Sequence, residues 1–126
     1  MLKSFFEEKL YVRVGVNQFE IDNLSTGKST IVTAADPFTT RRLLVGEFSS
    51  AESQLRDGIR RAQKPGLFRR SPAVVIHPLD MIEDGLCQVE SRLFMELAAG
   101  AGAHRFVLWT GSRLSPRQAL EKLDQV

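Results

Sequence analysis

The sequence predicts an α/β domain on a mixed, five-stranded sheet, antiparallel at its start and parallel where helices intervene between strands. Three observations lead there. Leu10, Val12, Val14 and Val16 alternate with Tyr11, Arg13 and Gly15, the two-residue period of a strand. From Ser49 onward, helical stripes alternate with short apolar runs, the order that produces strand-helix-strand units. Ala73-Val74-Val75-Ile76 is an uninterrupted apolar run between Pro72 and Pro78, which suits a strand covered on both faces at the sheet centre.

The elements follow in order. Strand one is expected to run through about Val16. Phe19 and Ile21 resume after Asn17-Gln18, and Ser25-Thr26-Gly27-Lys28 separates them from Ile31-Val32, giving a hairpin or a three-strand meander. Leu43-Leu44-Val45, just before Gly46, is read as making or extending a strand. Ser49 and Glu52 have capping-box spacing, and Ala51, Leu55, Ile59 and Ala62 form one stripe that Lys64-Pro65-Gly66 ends. Gly58 weakens that helix modestly. From Leu86 onward, Val89, Leu93 and Leu97 share a second stripe, which stops at Gly100-Ala101-Gly102 before the strand Phe106-Val107-Leu108-Trp109. Ser115 as N-cap and Pro116 at the first helical position open a last helix. A right-handed crossover from Ile76 to Phe106 makes those two strands parallel.

Composition bounds the function. A chain of 126 residues has the length of one domain, residues 1–126, and buries a single core. Hydrophobic content of 43% and charged content of 25% are those of an ordinary globular protein. A net charge of +2 is too small to argue for a nucleic-acid partner. The single Cys87 excludes an internal disulfide, and no apolar run approaches the ~18 residues of a membrane span. Glu7 and Glu8 interrupt the apolar centre that a secretory signal needs, so a cytoplasmic location is expected.

Several stretches resemble one family. Met1-Leu2-Lys3 through Val16 is similar to the start of the bacterial actin homologue MreB, of the actin and ribonuclease H-like superfamily, where a short amphipathic segment leads into the phosphate-loop strand. Leu44-Val45-Gly46-Glu47-Phe48-Ser49 resembles that family's segment before its first core helix. Ser71-Pro72-Ala73-Val74-Val75-Ile76 looks like its next strand, Gln88-Val89-Glu90-Ser91-Arg92 like the helix after it, and Gly100-Ala101-Gly102-Ala103 like the turn into the following strand. The resemblance covers nearly the whole chain. It implies a ribonuclease H-like sheet, specifically the first subdomain of an MreB-like protein.

The departures are as informative as the matches. Actin-like ATPases carry Asp-x-Gly-Thr in the phosphate loop: the carboxylate orders the metal's water shell, and glycine lets backbone amides reach the phosphates. The corresponding positions here are Arg13, Gly15 and Val16, so only the glycine remains. A guanidinium offers no oxygen ligand to Mg²⁺ and Val16 offers no hydroxyl. Trp109-Thr110-Gly111-Ser112 stands where the family has a glutamate-rich strand end. The family's inserted subdomain and second lobe have no counterpart in this length. Arg13, Gly15 and Val16 are thus degenerate cofactor-binding positions, with no cofactor, no metal and no catalytic residue expected.

Other chemistry has simpler explanations. Gly27-Lys28-Ser29 resembles the end of a P-loop, but Asp22 stands where that motif needs its first glycine, and a polar hairpin turn accounts for it. His77 with Cys87 reads as a base and nucleophile, or His77 with Asp80, Glu83 and Asp84 as a metal site. No residue pattern orients either set, and a solvated acidic loop with a partly buried Cys87 is the plainer reading. Arg41-Arg42, Arg60-Arg61 and Arg69-Arg70 are interspersed with acidic residues and lack aromatic interleaving, so no nucleic-acid partner is expected. Leu2, Phe5, Phe6 and Leu10 share a helical face; Leu2, Phe5 and Phe6 are candidates for contact with a membrane surface, although acidic Glu7 and Glu8 oppose anionic lipid.

The expected function is therefore a non-catalytic, MreB-like interaction module that has lost nucleotide hydrolysis. It acts by self-association or through a protein partner, linked to the bacterial cytoskeleton or cell shape. The rivals are a degenerate ATPase half that needs a partner chain, and a STAS-like regulatory domain, which the lack of Ser or Thr between Asp80 and Asp84 disfavours.

Overall fold

The computed structural model describes residues 7–65 and 71–126. Their order is β1 (Lys9–Gly15), β2 (Gln18–Asn23), β3 (Ser29–Thr33), α1 (Phe48–Ala62), β4 (Ala73–Pro78), α2 (Gln88–Gly100), β5 (Arg105–Leu108) and α3 (Pro116–Asp124). The strands form one five-stranded sheet in the order β3-β2-β1-β4-β5. β1 pairs antiparallel with β2, β2 antiparallel with β3, β1 parallel with β4, and β4 parallel with β5. Only β2 therefore runs against the other four. This is the mixed five-stranded sheet that the sequence predicts, antiparallel at its start and with helices packed on it.

Alternation along the strands divides the core. Leu10, Val12 and Val14 of β1, Phe19 and Ile21 of β2, and Val74 and Ile76 of β4 are buried together with Leu55, Ile59, Phe94 and Leu97 of α1 and α2. The intervening Tyr11, Ala73 and Val75 pack with Ala119 and Leu123 of α3 in a second, smaller cluster. β4 is thus buried at every position from Ala73 to Pro78, which explains its unbroken apolar run. Each Val, Leu or Ile buried in this way contributes about 1.5–3 kcal/mol relative to exposure.

Four local expectations need correction. Leu43-Leu44-Val45 is loop, not strand: Leu44 and Val45 are buried, but the Thr40 amide donates to the Leu43 carbonyl (2.9 Å) and Gly46 to Phe38 (2.9 Å), folding the segment on itself. α1 begins at Phe48 with Glu47 as N-cap, and Glu52 bonds Arg56 (3.3 Å) instead of closing a capping box with Ser49. Val89 is 75% exposed, because the buried face of α2 is Phe94, Leu97 and Ala98. Leu10 sits in β1 and the main core, not on an N-terminal helical face.

Other expectations hold. Asn23 and Lys28 close the β2–β3 hairpin across Gly27, whose φ of 79° suits glycine. Ser115 caps α3 by accepting from the Gln118 amide (3.2 Å), and the Gln118 side chain accepts from the Ser115 amide (2.8 Å). Leu2, Phe5, Phe6, Arg69 and Arg70 lie outside the described residues.

Candidate functional site

The carboxyl ends of β1 and β4 meet beside the β1–β2 turn, the end of a parallel sheet where ligands most often bind. An open cleft of about 410 Å³ lies there, lined by Gly15, Val16, Gln18, Glu20, Leu79, Asp80 and Arg113. The Leu79 amide donates to the Val14 carbonyl (2.9 Å), which carries the chain from β4 directly under Gly15. A Cβ on Gly15 would meet the Asp80 carboxylate at 3.6 Å, so loop and acid face each other. Arg113 reaches Glu20 at 3.5 Å across the rim. The lining offers two carboxylates and one guanidinium and no hydroxyl, thiol or imidazole, a set that can hold a polar molecule.

Arg13 lies on the sheet face below this cleft, and its charge is already used. Its guanidinium contacts Glu20 at 2.9 Å and Asp22 at 2.7 Å, with only 11% of the side chain exposed. The ladder sets this up, because Arg13 stands opposite Glu20, and Tyr11 opposite Asp22. Burial works against the charge on Arg13, yet the bonds to Asp22 and Glu20 outweigh it and hold the guanidinium protonated. Burial likewise opposes the Asp22 carboxylate, and bonds from Arg13 and Ser29 overcome it, so Asp22 titrates below the usual range. Arg13 also lies over the Tyr11 ring, 4.8 Å from its centroid. Gly15 and Val16 do reach the cleft, Val16 with 56% of its surface exposed.

Sequence reasoning treated His77 as a candidate base. The structure places it elsewhere: it is 1% exposed, with one ring nitrogen 2.6 Å from the Tyr11 hydroxyl and the other 2.8 Å from the Gly111 carbonyl. A carbonyl only accepts, so Nε2 carries the proton and Nδ1 accepts from Tyr11. The Tyr11 oxygen in turn accepts from the Leu114 amide (3.1 Å). Burial lowers the His77 pKa, with Arg113 and Arg13 adding to it, against the bond to Gly111. The neutral imidazole fastens the segment after β5 to the sheet. Cys87 is exposed at the start of α2 and is not among the partners of His77.

Asp80, Glu83 and Asp84 are exposed, and among the described residues no group of three His, Cys, Asp or Glu could hold a metal. Gly111 occupies the place where the resemblance implies a carboxylate, and a Cβ there would collide with the Trp109 indole. Arg41, Arg42, Arg60 and Arg61 are exposed surface residues.

Two features escaped the sequence reading. Asn17, at φ 50° in the β1–β2 turn, accepts through its side chain from the Phe38 and Thr39 amides (both 2.8 Å), pinning the loop after β3 beside the cleft. Asparagine's tolerance of this conformation was the available signal. Glu7 is buried and bridges to His104 and to Arg105 (2.8 Å), while Arg105 donates to the Leu123 carbonyl (2.6 Å). The bond from Arg105, and that from His104, hold the Glu7 carboxyl below its ordinary range against its burial. Apolar surface also remains open, in a groove of about 280 Å³ formed by Phe48, Val89 and Leu93 beside Arg92 and Glu96.

Fold and site together define a mixed α/β domain with a polar cleft at the carboxyl ends of its central strands and an ion-paired Arg13 beside it. The chain belongs to the same family as the uncharacterized protein YjaA of Escherichia coli (strain K12): the two are 33% identical over 97 residues, which span 73% of this chain and 75% of that protein. No family model matches the sequence. Among the described residues, no helix is long and apolar enough to cross a membrane.

Proposed function

We propose that this protein is a non-catalytic interaction module of MreB-like, actin-related type that has lost nucleotide hydrolysis and serves a cytoplasmic assembly linked to the bacterial cytoskeleton or cell shape. The observation that carries this reading is the pairing of Arg13 with Glu20 and Asp22. A residue that would order a metal's water shell is replaced by a cation, and that cation is neutralised from the neighbouring strand. Phosphoryl transfer needs a positioned metal and an oriented water. The cleft holds Glu20 and Asp80 but no hydroxyl at Val16, and Gly111, outside its lining, has its side-chain space filled by Trp109.

The open apolar groove formed by Phe48, Val89 and Leu93 agrees with a surface that meets another protein. Calorimetric titration with ATP and Mg²⁺, a phosphate-release assay, and capture of a purified full-length MreB-type filament former on the immobilised chain test the reading. Absence of turnover together with retention of the filament protein is expected. Micromolar ATP binding or steady phosphate release from the purified chain would overturn it.

A further inference from the structure

β3 (Ser29–Thr33) is an edge strand of the sheet, bonded to a neighbour on one side alone. The Asn23 amide donates to the Lys28 carbonyl at one end of the β2–β3 ladder, and the Ala34 amide to the Asn17 carbonyl at the other. Bonded and non-bonded pairs alternate along an antiparallel ladder. With Glu20 opposite Ile31, the residues that bond β2 are therefore Lys28, Thr30, Val32 and Ala34. Ser29, Ile31 and Thr33 turn their N–H and C=O groups outward from the sheet, and no described residue bonds them.

That outward set is symmetric about Ile31. We propose that β3 pairs antiparallel with β3 of a second copy, Ile31 opposite Ile31 and Ser29 opposite Thr33, extending the sheet continuously across a two-fold axis. Ser-Thr-Ile-Val-Thr holds no charge and no proline, the devices by which edge strands usually resist such pairing. Ile31 is 62% exposed on the face away from α1, and pairing sets it against its symmetry mate. The opposite edge, β5, is four residues long and begins with the charged Arg105, which makes β3 the edge suited to pairing.

Charges on α1 name the partner as a second copy. α1 packs over both β2 and β3, and a Cβ on Gly58 would meet both Val32 and Ile21, so the helix axis lies between those strands. With strands about 4.8 Å apart, pairing sets the two α1 helices about 10 Å apart, the separation of packed helices. The flank of α1 toward β3 is marked by Gln54, which bonds the Ala35 amide and the Asp36 carbonyl, and by the Arg61 carbonyl, which accepts from Lys28. Asp57 and Arg61 occur at that helical spacing and are exposed, and neither forms an ion pair among the described residues. A two-fold axis runs the two helices antiparallel, so Asp57 of each copy faces Arg61 of the other. The contact is self-complementary, as a two-fold interface must be.

The inference deepens the reading as an interaction module by naming a partner. A strict monomer that still retains a filament protein would refute the dimer alone. Sedimentation and light scattering of the full chain over a concentration series, with hydrogen exchange of individual amides, test it. A dimer is expected in which the Ser29, Ile31 and Thr33 amides gain protection as concentration rises. Ile31→Lys, facing solvent in the monomer, is expected to weaken association at least about tenfold, and Asp57→Arg or Arg61→Asp to weaken it singly and restore it when combined. Association unchanged in Ile31→Lys, amide protection independent of concentration, or no restoration in the combined charge swap would overturn the proposal. Circular dichroism establishes that each variant folds; should Ile31→Lys not fold, the charge swap and the wild-type exchange pattern decide.

Discussion

The Tyr11 hydroxyl donates a hydrogen bond to Nδ1 of His77 across 2.6 Å, joining β1 to β4 on the face covered by α3. The opposite nitrogen of His77 donates to Gly111, and the Leu114 amide donates to Tyr11, so every polar atom of this buried pair is used. A proton added to Nδ1 would remove the acceptor that Tyr11 needs and place a cation in a site that already faces Arg13 and Arg113.

Stability should therefore depend on pH through His77. Its folded pKa lies below the ordinary 6.5, so between the two values the unfolded chain binds more protons than the folded one. The contribution is complete above about pH 6.5 and is lost as pH falls through the lowered folded value. His77→Phe should flatten this slope. At neutral pH it should cost about 2 kcal/mol or more, because the Gly111 carbonyl and Tyr11 hydroxyl lose their partner. Urea denaturation at several pH values on both chains is the measurement.

Arg13→Asp supplies the acid that the proposed actin-like reading calls for at this position and should still give no ATP turnover. The substitution sets a third carboxylate beside Glu20 and Asp22 and removes the cation that both contact. A loss of about 2–4 kcal/mol is expected, part of it recovered in acid as carboxylates protonate. Thermal melts at neutral and acidic pH, with phosphate release on the folded fraction, check both parts.

Gly58→Ala tests whether glycine in α1 serves packing. Helix propensity alone would favour alanine by about 1 kcal/mol. The added Cβ, however, would stand 2.7 Å from Val32 Cγ2 and 2.9 Å from Ile21 Cδ1. A net loss of about 1–2 kcal/mol is expected, smaller in the Val32→Ala background where the first contact is gone. A double-mutant cycle by chemical denaturation reads the difference.

Thr30→Val should stabilise the protein. The Thr30 hydroxyl is buried with no hydrogen-bond partner among the described residues. Valine keeps the shape and the β-branch while removing the unsatisfied oxygen, worth about 1 kcal/mol. A lower melting temperature in Thr30→Val would show that the hydroxyl has a partner in solution.

Elements whose signal is local are legible in the sequence. Alternation in β1, the double-sided apolar run of β4 and the Ser115-Pro116 start of α3 could be read because each follows from a periodicity or a cap contained within a few residues. The order of those elements was enough to predict the mixed sheet. Leu43-Leu44-Val45 reads as strand in sequence because an apolar triplet has the same composition in a buried loop, and only the bonds from Thr40 to Leu43 and from Gly46 to Phe38 distinguish the two. The site lay further from view. That Arg13 is neutralised by Glu20 and Asp22 depends on the β1–β2 register, that His77 is a buried fastener depends on Tyr11 and Gly111, 66 and 34 residues away, and that Glu7 is an ion-pair centre depends on Arg105, 98 residues away. A side chain's charge state and partners are set by neighbours brought together only in the folded chain, where burial raises the cost of an unpaired charge. For that reason tertiary structure, not sequence, decided which of these ionisable groups are available to chemistry.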